Sequence, residues 1–167
     1  MKPNFETTVT RYVKLVYYFA NRWSTGPKTE IDDIVQETFY KALQKYDTFE
    51  FSTESGLKAW LLTICRNHIY NTGRRKKEIL LEPEEMENIP DEKNANTMLE
   101  TIIKKEQLSI IYSYLENRPF IERELVRLYA YEELKFKEIA NVLDCSKDAV
   151  KKRFYRIIER MKKEAKI

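Results

Sequence analysis

Asp32, Asp33, Gln36 and Glu37 form an acidic, polar cluster in the first half of the chain. Steps of three and four put Asp33, Gln36, Glu37 and Tyr40 on one face of a helix. Carboxylates grouped in this way have two chemistries open to them. They can hold a hard divalent cation through oxygen, or they can pair with Lys and Arg on a protein partner and speed encounter with it. A Mg²⁺ site on Asp32, Asp33 and Glu37 would give a nuclease-like enzyme, but adjacent carboxylates on one helix diverge, which ranks that reading last. A second cluster, Phe49, Phe51, Ser52, Thr53 and Ser55, combines aromatic faces with hydroxyls. Such a set can hold an unstacked base by stacking and by hydrogen bonds to its edge. Asn67 adds both a donor and an acceptor for a base edge. Arg66, Arg74, Arg75, Lys76 and Lys77 add cations for phosphates.

These groups need elements to hold them. Ile31, Ile34, Val35, Phe39, Ala42, Leu43 and Tyr46 form the apolar stripe opposite the acidic face, predicting a helix from Ile31 to about Tyr46. Thr29 and Asp32 have the spacing of a capping box at its start. The hydroxyl-rich loop follows, with Ser55 the expected cap of the next helix. That helix runs from about Gly56 towards Asn71, burying Leu57, Trp60, Leu61, Ile64 and His68, with Gly73 as a left-handed stop. An earlier stripe, Val9, Tyr12, Val13, Val16, Phe19, Ala20 and Trp23, predicts a first helix closed off by Gly26-Pro27. The block therefore reads as a small bundle that meets a protein through its acidic face and melted DNA through its loop and basic helix.

The chain has 167 residues, 34% of them charged, and only three Gly. Long helical periodicity with so few turn formers predicts an all-α fold. No apolar run approaches the roughly 18 residues of a membrane span, and the N-terminal residues lack a signal-peptide core, so a cytoplasmic protein is expected. Cys65 and Cys145 have no metal spacing and read as small buried hydrophobes; no metal or cofactor is expected. The net charge of +3 is unevenly spread: residues 1–78 carry 13 Lys+Arg against 9 Asp+Glu, residues 79–100 carry 1 against 7, and residues 101–167 carry 16 against 11. The acidic stretch holds Pro83 and Pro90 without helical period, which predicts a flexible linker. The expected division is 1–78, a linker at 79–96, and a second helical domain at 97–167.

In that second domain, helices are expected from Thr97 to Asn117, after Pro119, and from Phe136 to Leu143. The last runs from Ser146, as cap, to about Glu164. LKFKEIANVLDCSKDAVKKRFYRIIERMKKE has helix-turn-helix form. Ile139, Ala140 and Leu143 face inward on the first helix, and Val150, Phe154, Ile157 and Met161 on the second. Arg153 borders that face and is placed to pair internally. The outward face presents Lys147, Asp148, Lys151, Lys152, Tyr155 and Arg156, suited to a major groove. Asp144 stands in the turn where Gly is common.

DIVQETFYKALQKYDTF, LKAWLLTICRNHIYNTGRRKK and FKEIANVLDCSKDAVKKRFYRIIERM, in this order, resemble the bacterial sigma factors, and among them the extracytoplasmic-function (ECF) class. The resemblance covers nearly the whole chain. It implies a region 2-like helical bundle and a region 4-like helix-turn-helix domain joined by the acidic linker, and a function in promoter-specific transcription initiation without catalysis of its own. It implies that Asp32, Asp33, Gln36 and Glu37 dock on the clamp coiled coil of the RNA polymerase largest subunit. It places the −10 element as melted strand on Phe51, Ser52, Arg66, Asn67, Asn71, Arg74 and Arg75. It places the −35 duplex on Ser146, Lys147, Asp148, Lys151, Lys152, Tyr155 and Arg156, near the polymerase flap. Many relatives are held inactive by an anti-sigma factor, so one is a candidate partner here. Asn71, where Asp is frequent, and Gly73, ahead of the Arg pair, depart from the family pattern. The competing reading is a stand-alone helix-turn-helix regulator acting as a dimer on a palindromic operator.

Overall fold

A computed structural model describes residues 1–73 and 108–164. The described residues form seven α-helices and no sheet. The chain divides into two compact units, Met1–Ile79 and Leu80–Ile167. The acidic linker and the part of the expected helix from Thr97 to Asn117 that precedes Leu108 lie outside the described residues.

The first unit holds α1 (Phe5–Trp23), α2 (Ile31–Tyr46) and α3 (Glu54–Asn71), packed mutually in pairs. Its core is Val16, Phe19 and Trp23 from α1, Ile34 and Ala42 from α2, and Leu57, Leu61, Leu62, Cys65 and Ile69 from α3. Asn4 caps α1, its side chain accepting from the Thr7 N–H at 2.8 Å. The expected capping box on α2 does not form: a 3-10 turn over Lys28–Glu30 leads straight into the helix, and its N-cap, Glu30, makes no side-chain cap bond. Thr53, not Ser55, caps α3, accepting from Gly56 N–H at 3.1 Å. The buried face of α3 also differs from the expected one. Leu62, Cys65 and Ile69 are buried, while Trp60, Ile64 and His68 keep a solvent edge. A helix wedged between two others buries more than one stripe, so a single stripe underestimates its core. Leu43, expected inside, is 54% exposed.

The second unit holds α4 (Leu108–Glu116), α5 (Phe120–Ala130), α6 (Phe136–Leu143) and α7 (Lys147–Glu164). Tyr129, Phe136, Phe154 and Tyr155 make its aromatic centre, with Phe154 4.5 Å from Tyr129 and 5.3 Å from Phe136 by ring centroid. The Lys135 N–H donates to Glu138 Oε2 at 2.8 Å, closing the start of α6. No helix among the described residues is long and apolar enough to cross a membrane.

Candidate nucleic-acid interface

α2 presents its acidic face as expected: Asp32, Asp33 and Gln36 are exposed and Glu37 half-buried. Asp33, Gln36, Glu37 and Tyr40 line a shallow groove. Asp32 and Asp33 sit in the first turn of the helix, where carboxylates complement the unpaired N–H groups. Glu37 lies 3.7 Å from Lys41, which in turn lies 3.1 Å from His68 Nδ1. Among the described residues, no three His, Cys, Asp or Glu side chains come together to hold a metal ion.

The loop between α2 and α3 is built on stacked rings. Phe49 lies on Trp60, with centroids 4.1 Å apart and planes 9° from parallel, and Phe51 stacks 6.0 Å beyond Phe49. Trp60, expected as core, is thus the platform for the loop. Beside it lies a cleft of about 250 Å³, lined by Met1, Lys2, Pro3, Arg11, Tyr12, Phe51, Ser52, Thr53, Glu54 and Leu57. Phe51 and Leu57 give apolar walls, Arg11 and Ser52 give donors, and Glu54 gives acceptors. The Tyr12 hydroxyl donates to Glu54 Oε1 at 2.9 Å. Burial first, and then this bond to Glu54, raise the Tyr12 pKa, with Arg11 opposing. Sequence reasoning missed Lys2, Arg11, Tyr12 and Glu54. Tyr12 registers as one more apolar position in its stripe, and no local signal brings residue 2 against residue 51.

Along α3, Asn67 and Asn71 are exposed. Arg66 is not: it is 5% exposed, with its guanidinium 5.2 Å from the Tyr70 ring centroid. Its position in the helix turns it inward, so it does not join the exposed cations where the sequence reading put it. Gly73 takes a left-handed φ of 71° and ends the helix. Arg74 and Arg75, with Lys76 and Lys77, lie outside the described residues.

In the second unit, α6 and α7 meet in the expected turn. Asp144 adopts φ 55°, ψ 50°, the left-handed conformation that glycine takes most easily. Ser146 Oγ accepts from Ala149 N–H at 3.1 Å and caps α7. Ser146, Lys147 and Asp148 are exposed, and Lys151, Lys152 and Arg156 half-buried. Tyr155 is 2% exposed and packs edge-on against Phe136 and Phe154, so its ring belongs to the core instead of the outward face. Arg153 turns inward as its position predicts. Glu122, nearly fully buried on α5, lies 3.7 Å from Arg153 and 3.4 Å from Arg160. These pairs tie α7 to α5.

Residues 8–79 match the family model of Sigma-70 region 2, and residues 105–161 match that of Sigma-70, region 4. The ECF RNA polymerase sigma-E factor of Haemophilus influenzae is 27% identical over 165 residues, spanning 95% of this chain and 85% of that protein. The sigma-E factor of Escherichia coli K12 is 27% identical over 162 residues, spanning 93% and 83%. This chain belongs to the ECF sigma factors. Sigma factor RpoE from Bartonella quintana, solved with the anti-sigma factor NepR, has the same fold at a TM-score of 0.56 and 22% identity, covering 98% of this sigma factor and 97% of that chain. CnrH, solved with the cytosolic domain of CnrY, aligns at a TM-score of 0.53 and 24% identity, covering 95% and 85%. As an ECF sigma factor, the protein directs transcription initiation.

Proposed function

We propose that this sigma factor docks on core RNA polymerase through Asp32, Asp33, Gln36 and Glu37, captures a base of the melted −10 element in the cleft beside Ser52, and reads the −35 element as duplex with α7. Catalysis belongs to the polymerase, and the chain works beside it in the cytoplasm. The observation that carries this reading is the cleft at the start of α3. Taking a base out of the stack costs a few kcal/mol. An aromatic wall at Phe51, with donors and a carboxylate across from it, can offset that cost by stacking and edge hydrogen bonds. Asn67 and Asn71 continue the contact along the exposed side of α3, and Arg74 and Arg75, which follow in sequence, are assigned to the same DNA element. Arg66 supports this surface from inside.

The −35 contacts in this reading are Ser146, Lys147, Asp148, Lys151, Lys152 and Arg156. Tyr155 serves as the packed base from which they project. The exposed start of α7 lies nearest base edges, and the cations further along meet phosphates. We include an anti-sigma factor among the partners because the similar RpoE was solved with one.

Reconstitution with core polymerase on genomic DNA, followed by sequencing of transcript starts, tests the proposal. Factor-dependent starts downstream of paired −10 and −35 elements are expected. A chain that ignores core polymerase yet binds a palindromic operator as a homodimer would instead be a stand-alone regulator.

A further inference from the structure

We infer that Lys2 is a positioning residue for −10 base capture, its ammonium group pinning the α2–α3 loop and so fixing one wall of the cleft. This rests on the base-capture reading above and adds to it a residue far from the loop in sequence. The Lys2 ammonium donates to the carbonyl oxygen of Tyr46, the last residue of α2, and to that of Phe49, at 2.7 Å for the latter. The same nitrogen lies 4.4 Å from the Tyr46 ring centroid and 5.8 Å from that of Phe51. One cation thus spans the loop from the helix end to the residue that walls the cleft.

The chemistry suits the place. The last carbonyls of a helix lack intrahelical partners and carry its negative end, which favours a cation there. An ammonium offers three donors and no acceptor, enough for two carbonyls with a ring face beside them. The approach of Lys2 is itself fixed: the Tyr46 hydroxyl donates to Pro3 O at 2.8 Å and is hydrogen-bonded to the buried Thr8 hydroxyl at 2.7 Å. Asn4 then caps α1. Arg11 and Glu54 reach the cleft from α1 and α3, whereas Phe51 and Ser52 reach it from the loop that Lys2 holds. Releasing Lys2 lets the loop shift against the two charged groups, and the match between the cleft and one particular base is lost.

The test uses full-length Lys2→Met, Lys2→Arg and unsubstituted chains as holoenzymes. Run-off transcription is measured on a cognate promoter and on promoters altered only at the captured −10 position. The readout is the ratio between cognate and altered templates, which a lower folded fraction of sigma factor would not change. Lys2→Met should lower that ratio by about fivefold, the factor that one hydrogen bond of ordinary strength represents. Lys2→Arg should restore it, and permanganate reactivity of the −10 thymines should follow the same order. Tyr46→Phe, which frees Pro3 without removing the ammonium, should lower the ratio in the same direction. An unchanged ratio in both Lys2→Met and Tyr46→Phe overturns this inference and leaves the base-capture reading standing. A ratio near one for the unsubstituted chain overturns both.

Discussion

Arg66 and Asn67 are neighbours in sequence and opposite in fate. Both are polar residues on a helix that ends near a basic run, and from sequence both read as nucleic-acid contacts. Arg66 lies on the buried side of α3, over Tyr70, while Asn67 stays exposed. Arg66→Met should therefore lower stability by about 1–3 kcal/mol in denaturant unfolding, and should leave the salt slope of holoenzyme–promoter binding unchanged. Cys65 was legible as a buried hydrophobe, and it is fully buried, its thiol pushed up to about 12 by burial against a hydrogen bond with Thr38 that pulls the other way. In the unfolded chain that thiol ionises near its ordinary 9.0. The unfolded state thus loses its proton first as pH rises, so the stability this group contributes is whole below pH 9 and is lost towards pH 12. Unfolding midpoints across that range should fall less steeply for Cys65→Val than for the natural chain. Tyr12, raised in the same direction, leaves a residual slope.

The helix-turn-helix was the most legible element, because its signals are local. Apolar spacing, a small Ala140 and a capping Ser146 lie within one short stretch. Phe136–Leu143 and Lys147–Glu164 match the expected bounds. Tyr155 stood on the outward face in the sequence reading because an aromatic ring beside two core positions can lie on either side of the line between a helix's apolar and polar faces, and only the cluster with Phe136 and Phe154 decides it. The turn stands on two residues. Ser146→Ala should cost about 1 kcal/mol by removing the cap. Asp144→Ala should cost about 1–2 kcal/mol by putting an ordinary side chain in a left-handed backbone. Denaturant unfolding of the full chain measures both, and the loss should reappear as weaker −35 duplex binding by the holoenzyme. The α2–α3 cleft was the least legible element. Its walls come from three places in the chain, and neither Lys2 nor Glu54 has a local signal that would bring them together.

Across the whole molecule, the uneven charge was readable from composition, and it gives the proposed docking its direction. The acidic face of α2 belongs to a chain whose net charge is +3. Attraction to a basic partner must therefore come from that local patch, not from overall charge. Reversing it with Asp33→Lys and Glu37→Lys together should weaken competition against the natural chain for core polymerase by about tenfold, with helical content by circular dichroism unchanged. Equal competition would remove α2 from the docking surface.

The ring pair Phe49–Trp60 carries one more consequence. The chain has two tryptophans, Trp23 and Trp60, and both belong to the first unit. Trp23 is sealed in the core, whereas Trp60 lies under the loop at its solvent edge. The protein thus carries a built-in optical probe. Its indole emission follows the loop's movements, and the rear unit, lit only by tyrosine, adds nothing to that signal.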